Sequence, residues 1–570
     1  MKSLQPKPWL KLNTGSAWLI LIIALGLGLR LAHCLVVHDH LLLQPRGFLD
    51  DVFYDRFARA VAGGDLLAGR EVFFLSPLYI YFLGLVYFIF SPGPAAPFLI
   101  QSLLGAAAVW LCFRAGTMLK DARAGLLAAA LIAFDGLAVM FESSLLQASL
   151  DPFLSALFFF ALVKAVVASR ISSWLLLGFA AGLLSLNRPN ALVLLPLCPA
   201  LALWFKGGNA WKSASAAALA GIIVLLPVTL RNLAVGGDAA LVSSHGGMNF
   251  YIGNRQGADG FYEPPEGLSP DMRAQAEEAR LRFERELGRP VMPSEVSRRF
   301  YSRAFDEIKA DPAGWLTLLG RKALYLANSR EAGLNLSLSY LKELSPALRL
   351  SFVGMWLIIP LAGLGAASEL KSRAAQAVMV ASLAYAATVV LFFVSDRYRL
   401  PLHVPLALLA GAGMSSVVER VRARHWKRLI APLAVLVALA FVSQLRLEIP
   451  SGAGQMRLSH CLRLIDAGRI EEAKELAAGM PVGEMNPFFW RVKLAAAYSA
   501  RGAPEEAVEQ YRFLVGLAPD EAELRCRLAE ALMSAGDREA AISELKKGLS
   551  LDPFDPGCQE ALSEIRLRPR

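Results

Sequence analysis

Cysteine is scarce in this 570-residue chain, and no two of its six cysteines have a metal-binding spacing. Three lie inside apolar runs and three lie far apart near the carboxyl end, so we expect buried structural thiols: Cys34, Cys112, Cys198, Cys461, Cys526 and Cys558. HExxH, CxxC and GxSxG motifs and DxD-type metal clusters are also missing. Zinc proteases, redox dithiols and common serine hydrolases therefore have no support in the sequence.

Charged residues are few as well, at 19% of the chain against 55% hydrophobic residues, and mean hydropathy is +0.45. These values exclude an ordinary soluble globular protein. Apolar runs long enough to cross about 30 Å of hydrocarbon recur between residues 17 and 446. The first run exceeds the apolar core of a signal peptide, and no small-x-small cleavage site follows it. We expect an uncleaved first span.

The basic residues between the apolar runs indicate the topology, because loops rich in lysine and arginine stay in the cytoplasm. They are Lys2, Lys7, Lys11, Arg114, Lys120, Arg123, Arg170, Lys206, Lys212, Lys371, Arg373, Arg420, Arg422, Arg424, Lys427 and Arg428. This rule accounts for most of the net charge of +10, and we expect no nucleic-acid partner. The apolar stretch 76–90 is short, so we interpret it as an interfacial or re-entrant helix.

The sequence therefore predicts an all-α polytopic membrane protein of about eleven spans, with its amino terminus inside and its carboxyl terminus outside. The predicted spans are 17–37, 97–118, 124–141, 152–168, 173–187, 190–206, 214–230, 349–367, 374–394, 401–418 and 429–446. This membrane module covers residues 1–446. Segments 47–95 and 231–347 then lie outside the cytoplasm.

Acidic residues collect on this outer face. Asp50 and Asp51 begin the amphipathic stretch "DDVFYDRFARAVAGG", and Glu142 and Asp151 lie between two predicted spans. A partly desolvated carboxylate at the interface is suited to taking a proton from a hydroxyl group. The alternative is that the aspartates only cap helices, since they stand at helix-start positions.

Arginines on the same face are candidates for binding phosphate, because a guanidinium group donates a planar pair of hydrogen bonds. They are Arg188, Arg231, Arg255, Arg397 and Arg399. The alternative is that they extend to lipid headgroups. A loop containing five glycines, with Asn249 and Asn254, permits close approach of the backbone to a ligand. His245 and His403 are isolated, and we expect structural roles for them.

These residues resemble a known group of enzymes. The pattern "DDVFY", a proline-led apolar stretch and a second acid after the third span are similar to polyprenyl-phosphate-sugar-dependent glycosyltransferases of the C fold. "RN" at 231–232, "GGMNFYIGN" and "DRYRLPL" resemble the bacterial branch that is similar to protein O-mannosyltransferases and aminoarabinose transferases. The resemblance covers residues 10–445.

The resemblance implies an inverting sugar transfer from a polyprenyl-phosphate donor to an acceptor hydroxyl on the periplasmic side of a bacterial inner membrane. Asp50 would be the base, Tyr54 and Asp151 would shape the site, and outer-face arginines would hold the leaving phosphate. It specifies no cofactor and leaves a divalent metal open. The chain departs from the pattern at Asp51, where glutamate is usual, and at Leu146, where arginine is usual. The second departure leaves Glu142 and Asp151 as alternative second acids.

The composition after the last span becomes charged and alanine-rich, and glycines 468, 502 and 536 are 34 residues apart. This period predicts tetratricopeptide repeats, a helical solenoid over residues 455–570. The repeats would either bind a protein, as acceptor or assembly partner, or serve only as an assembly and stability module.

Two other classes of function compete with a glycosyltransferase. A transporter or flippase of a lipid-linked substrate would place ionisable groups near the bilayer midplane, whereas these acids collect at one interface. Arg30, inside the first span, is the exception, as a substrate contact or an arginine that extends to the interface. The third class is a membrane-anchored scaffold, for which eleven spans are excessive.

Cysteine labelling tests the topology. A cysteine in place of Ser91 should react with an impermeant thiol reagent added from outside, and one in place of Ser169 only from the cytoplasm. The reason is that 76–90 is predicted not to cross the membrane. Labelling of position 91 only from the cytoplasm would contradict this topology and separate Asp50 from Asp151.

Overall fold

The computed structural model describes residues 14–45, 50–168, 170–205, 210–269, 272–480 and 485–567. Lys2, Lys7, Lys11 and Lys206 of the basic clusters, and labelling position 169, lie outside the described residues. The chain divides into two compact units, residues 1–449 and 450–570. Helices dominate both units, and the β-structure of the described residues consists of two isolated bridges.

The first half of the membrane unit contains ten α-helices. They are α1 (Thr14–Val37), α2 (Asp50–Ala62), α3 (Pro77–Phe90), α4 (Ala95–Leu119), α5 (Ala122–Ala133), α6 (Gly136–Glu142), α7 (Asp151–Ala168), α8 (Ile171–Asn187), α9 (Leu194–Phe205) and α10 (Ala210–Gly236). Apolar helices therefore alternate with short loops, as the hydropathy pattern predicts.

The second half begins with the long polar segment and returns to apolar helices. The helices are α11 (Gly246–Asn254), α12 (Met272–Leu287), α13 (Pro293–Ala310), α14 (Pro312–Ala327), α15 (Leu338–Leu344), α16 (Pro346–Arg349), α17 (Met355–Ser368), α18 (Arg373–Leu391), α19 (Asp396–Arg422) and α20 (Ile430–Ser443).

Within the described ranges, seven helices are long and apolar enough to cross a membrane, and each coincides with a predicted span. Shorter apolar helices occupy the other four predicted spans, which confirms the all-α membrane fold. Some boundaries differ from the prediction: in the predicted span 349–367 the apolar helix begins only at Met355, and 124–141 is divided between α5 and α6. Asp135 causes the break: its side chain accepts hydrogen bonds from the backbone N–H groups of Leu137 and Ala138 and starts a new helix. Helix α3 spans about 21 Å at 1.5 Å per residue, less than the hydrocarbon core.

Small residues permit the closest helix contacts in this unit. A Cβ atom added at Gly365 of α17 would lie 1.8 Å from the carbonyl oxygen of Leu409 in α19, and one at Gly413 would lie 2.5 Å from the nitrogen of Gly365. Between α8 and α10, a Cβ at Gly178 would lie 2.0 Å from the carbonyl oxygen of Ala217. Close backbone approach supplies the van der Waals packing that holds membrane helices together.

The carboxyl-terminal unit consists of helical hairpins. Its helices are α21 (Ala453–Asp466), α22 (Ile470–Ala478), α23 (Pro487–Ala500), α24 (Pro504–Leu517), α25 (Ala522–Ser534), α26 (Arg538–Leu551) and α27 (Pro556–Leu567). Gly468, Gly502 and Gly536 follow the first helix of each hairpin with φ of 76°, 68° and 87°, the left-handed conformation that glycine adopts most easily. The predicted helical repeats are thus present.

The expectation that all six cysteines are thiols is wrong for two of them. Cys526 of α25 and Cys558 of α27 form a disulfide, with their Cα atoms 4.9 Å apart. Their separation of 32 residues is close to one repeat period, so stacking of successive helices brings them together. The other four cysteines are free and buried, as predicted.

Candidate functional site

Asp50, the first residue of α2, lies against the first turn of α19. Its Oδ2 atom accepts hydrogen bonds from Nη1 of Arg397 at 2.5 Å and from Nδ2 of Asn335 at 3.0 Å. Asn335 has φ of 70°, a left-handed conformation that asparagine tolerates better than most residues. Among the described residues, Oδ1 of Asp50 has no hydrogen-bond partner. This oxygen is left to act on another molecule.

Asp151 begins α7 and forms a second acid–arginine pair at the end of α8. Its Oδ2 atom accepts a hydrogen bond from Nε of Arg188 at 2.8 Å, and its Oδ1 atom accepts one from Nδ2 of Asn187 at 2.8 Å. All three residues are fully buried. Nη1 of Arg188 has no hydrogen-bond partner in the described structure. Arg188 thus supplies the guanidinium that Leu146 does not provide, and it retains a donor for a ligand.

The two pairs belong to one site, because the ring of Tyr398 lies beside both. The guanidinium carbons of Arg188 and Arg397 are each 5.3 Å from its centroid. Tyr54 of α2 donates a hydrogen bond to Oε1 of Gln147, just before α7. Burial, and then the nearby Asp50 carboxylate, raise the pKa of Tyr54 well above its usual value. Tyr54 is therefore a neutral hydrogen-bond donor at neutral pH.

His245 lies at the start of α11 beside this site, and its proximity was not predicted. Its ring contacts Phe74 edge to face at a centroid distance of 4.3 Å. Burial lowers its pKa to about 4, so the imidazole is neutral at pH 7. Its Nδ1 atom is buried with no hydrogen-bond partner in the described structure. Asn249, one turn further along α11, is within hydrogen-bond reach of the ring.

Glu142, the other candidate second acid, lies in a separate ion pair. Its Oε2 atom is 2.5 Å from Nε of Arg30, and both side chains are fully buried. Arg30 also donates from Nη1 to the carbonyl oxygens of Ala133 at 2.8 Å and Gly26 at 3.1 Å. Arg30 therefore does not extend to the interface. It joins α1 to α5 and α6.

Three other residues that were predicted to bind a ligand form their hydrogen bonds with the protein itself. Arg231 donates to the carbonyl oxygens of Leu67, Ala68, Gly69 and Glu71 and so holds the loop after α2. Asn254 bonds Trp315, Lys322 and the carbonyl oxygens of Phe250 and Leu391. Arg399 pairs with Asp396 and donates to the carbonyl oxygens of Tyr325, Asn328 and Arg330.

Asp51, the remaining predicted acid, is buried beside Asp50 in the first turn of α2. Its Oδ1 atom accepts a hydrogen bond from the backbone N–H of Val52 at 3.0 Å. This local contact stabilises the start of the helix, where orphan N–H groups need acceptors.

Asp50 and Asp151 each pair with an arginine, and among the described residues neither belongs to a group of three potential metal ligands. In the described parts of the chain, one group of three potential ligands lies close enough to hold an ion, namely Cys526, Asp555 and Cys558. Two of its members form the disulfide and cannot act as thiolate ligands. These residues therefore do not fit a divalent metal.

Two segments of the chain match known protein families. Residues 75–232 match the family model described as dolichyl-phosphate-mannose-protein mannosyltransferase, and residues 498–565 match a tetratricopeptide repeat model. The predicted resemblance to both groups is confirmed. The chain contains the apolar helices of an integral membrane protein, a segment similar to dolichyl-phosphate-mannose-protein mannosyltransferases and a carboxyl-terminal segment similar to tetratricopeptide repeats.

Several solved structures align with the chain. One is an oligosaccharyltransferase of Archaeoglobus fulgidus, which is 13% identical; the alignment covers 84% of this chain and 61% of that chain, with a TM-score of 0.43. ArnT of Cupriavidus metallidurans in the apo state aligns at 13% identity over 95% and 78% of the two chains, with a TM-score of 0.40. The structure of ArnT bound to undecaprenyl phosphate aligns at 14% identity over 94% of this chain and 78% of that chain, with a TM-score of 0.37. The chain thus spans about three fifths of the archaeal enzyme's length. The chain matches none of the curated protein sequences.

The geometry predicts a structural role for Arg399. Arg399→Gln leaves the buried Asp396 carboxylate without its cation, and we expect a loss of about 3–5 kcal/mol of stability. The matched control is Arg321→Gln, which alters an exposed arginine of α14 and should unfold as the unaltered protein does. Thermal unfolding of the purified proteins in detergent measures the difference. Unchanged stability with a raised KM for a lipid-phosphate sugar would instead make Arg399 a donor ligand.

Proposed function

We propose that the membrane unit transfers a sugar from a polyprenyl-phosphate donor to an acceptor hydroxyl, with inversion, on the extracytoplasmic face of a bacterial inner membrane. The observation that carries the proposal is the pair of acid–arginine contacts on either side of Tyr398. One pair presents an unoccupied carboxylate oxygen, and the other presents an unoccupied guanidinium N–H group. A sugar transfer needs these two chemical functions, a base and a group that stabilises the leaving phosphate.

Asp50 acts as the general base in this proposal. Arg397 and Asn335 hold its Oδ2 atom and so orient the carboxylate, while Oδ1 accepts the proton of the acceptor hydroxyl. The oxygen attacks the anomeric carbon as the bond from that carbon to the phosphate oxygen breaks, and the polyprenyl phosphate leaves. A single displacement of this kind inverts the anomeric configuration.

Arg188 stabilises the phosphate as negative charge develops on its bridging oxygen. Nε of Arg188 is bound to Asp151, and the free Nη1 atom supplies a charge-assisted hydrogen bond to the ligand. We therefore propose Asp151, which positions Arg188, as the second functional acid. Glu142 serves the packing of α1 instead, and Tyr54 positions Gln147.

Asp50→Asn should reduce transfer about 10²–10⁴-fold while donor binding is retained, because the amide keeps the volume and cannot take the proton. Thermal stability should fall, because Arg397 loses its buried carboxylate partner. The matched control is Asp39→Asn, at an aspartate whose side chain is 85% exposed. Turnover with purified protein and a polyprenyl-phosphate sugar gives the rates. If Asp50→Asn turned over normally, Asp50 would not be the base.

The disulfide supports an extracytoplasmic position for the repeat unit, because disulfides persist in oxidising compartments and are rare in the cytosol. An outer position agrees with the topology inferred from the basic loops. We propose that the repeats recruit a protein, as acceptor or as assembly partner, since stacked helical hairpins form concave binding surfaces. A protein held near the site would react at a raised effective concentration.

Deletion of residues 455–570 tests recruitment. The truncated enzyme should bind the polyprenyl-phosphate donor with unchanged affinity and glycosylate its native target more slowly. Mass spectrometry of glycosylated products, with immunoblots of enzyme abundance, measures both effects. Normal modification by an equally abundant truncated enzyme would leave the repeats with a structural role only.

A further inference from the structure

Helices α12 and α13 form a polar hairpin that the proposed reaction does not use. Gly288, with φ of 66°, ends α12, and Pro293 begins α13, so the chain reverses direction within a few residues. The hairpin packs through its apolar side, which includes Phe283 and Phe300. A cavity of about 500 Å³ lies beside this apolar packing, and Phe283 belongs to both.

The lining of this cavity is strongly basic. Its charged residues are Arg289, Arg298, Arg299, Arg303 and Glu295. Glu295 pairs with two of the arginines, at 2.7 Å from Nη2 of Arg289 and 3.2 Å from Nη2 of Arg299, and its single negative charge offsets one of the two positive charges. Arg298 is exposed and has no acidic partner among the described residues. The lining therefore carries more guanidinium groups than carboxylates, and one guanidinium is free.

Arg303 lines the cavity, and two contacts hold its guanidinium group in place. Its guanidinium carbon lies 4.6 Å from the centroid of the buried Phe283 ring, and its Nη2 atom is 2.7 Å from Oε2 of Glu286. A guanidinium held by both contacts is ordered before a ligand arrives, which reduces the entropy lost on binding. Several guanidinium groups around one cavity match an anion that accepts more than one hydrogen bond.

The hairpin is also connected to the candidate active site. On the opposite face of α13 from these arginines, Oγ of Ser297 accepts a hydrogen bond from the backbone N–H of Gly247 at 2.9 Å. Gly247 belongs to α11, the helix that follows His245. The cavity is thus separated from the site by the thickness of α13 and α11.

We propose that the α12–α13 cavity binds a phosphate-bearing group, with Arg298 as its free ligand. The group belongs either to the headgroup of an anionic lipid or to a soluble phosphorylated molecule. This site is additional to the arginine that holds the leaving phosphate, and it does not depend on the proposed transfer reaction.

The test is hydrogen exchange of the full-length protein in nanodiscs, read by mass spectrometry over residues 285–303. Inorganic pyrophosphate is the soluble probe, and nanodiscs of phosphatidylcholine with or without phosphatidylglycerol provide the lipid probe. Because exchange is read locally, binding at Arg188 does not interfere. The variant is Arg298→Glu, and the matched control is Arg285→Glu, an exposed arginine of α12 outside the cavity lining.

Saturable protection by pyrophosphate in phosphatidylcholine, with its midpoint raised about tenfold or more by Arg298→Glu and little by Arg285→Glu, supports a soluble ligand. Protection by phosphatidylglycerol alone that Arg298→Glu removes supports a lipid headgroup. Absence of protection by both probes, or an equal loss in the two variants, overturns the proposal. Turnover of Arg298→Glu with a donor and acceptor is measured separately, so the outcome is independent of the base assigned to the reaction.

Discussion

Burying a carboxylate in apolar surroundings costs several kcal/mol unless a cation and hydrogen bonds compensate, and this cost organises the membrane unit. Glu142 lies against Arg30, Asp151 against Arg188, and Asp396 against Arg399. The first two pairs join different segments of the chain, whereas Asp396 and Arg399 lie three residues apart in α19. The helices therefore pack in positions that let these charges meet, and the Asp151–Arg188 and Asp50–Arg397 contacts lie at the candidate site.

Ion pairs between the same residue types differ in whether any hydrogen-bonding atom remains without a protein partner. Arg399 uses its donors on Asp396 and three carbonyl oxygens, so it has no capacity for a ligand. Arg188 retains Nη1, and Asp50 retains Oδ1, in a region lined by the Tyr398 ring. Unused hydrogen-bonding capacity thus distinguishes the guanidinium of Arg188 from that of Arg399, although both are buried and paired.

The apolar runs and the 34-residue period predict the membrane-spanning helices and the repeat helices, because hydrophobic spacing determines which segments are buried. The helices of the polar segment 231–347 were not predicted. The break at Asp135 was hidden by apolar residues on both sides of it. Arg397 and Arg399 could not be told apart by sequence, yet two residues along a helix point in nearly opposite directions. The pairing of Asp151 with Arg188 and the cystine depend on contacts between segments more than thirty residues apart, which local patterns do not reveal.

The central claim is that Arg188 and Asp50 act on the two reacting partners at one site. A cryo-electron microscopy structure of the full-length protein with bound polyprenyl phosphate tests it most directly. The account predicts phosphate density within hydrogen-bond distance of Nη1 of Arg188, with Asp50 still bound to Arg397 and its Oδ1 atom facing the bound donor. Phosphate density elsewhere, with Arg188 enclosed by protein and Asp50 distant from the lipid, would contradict the account.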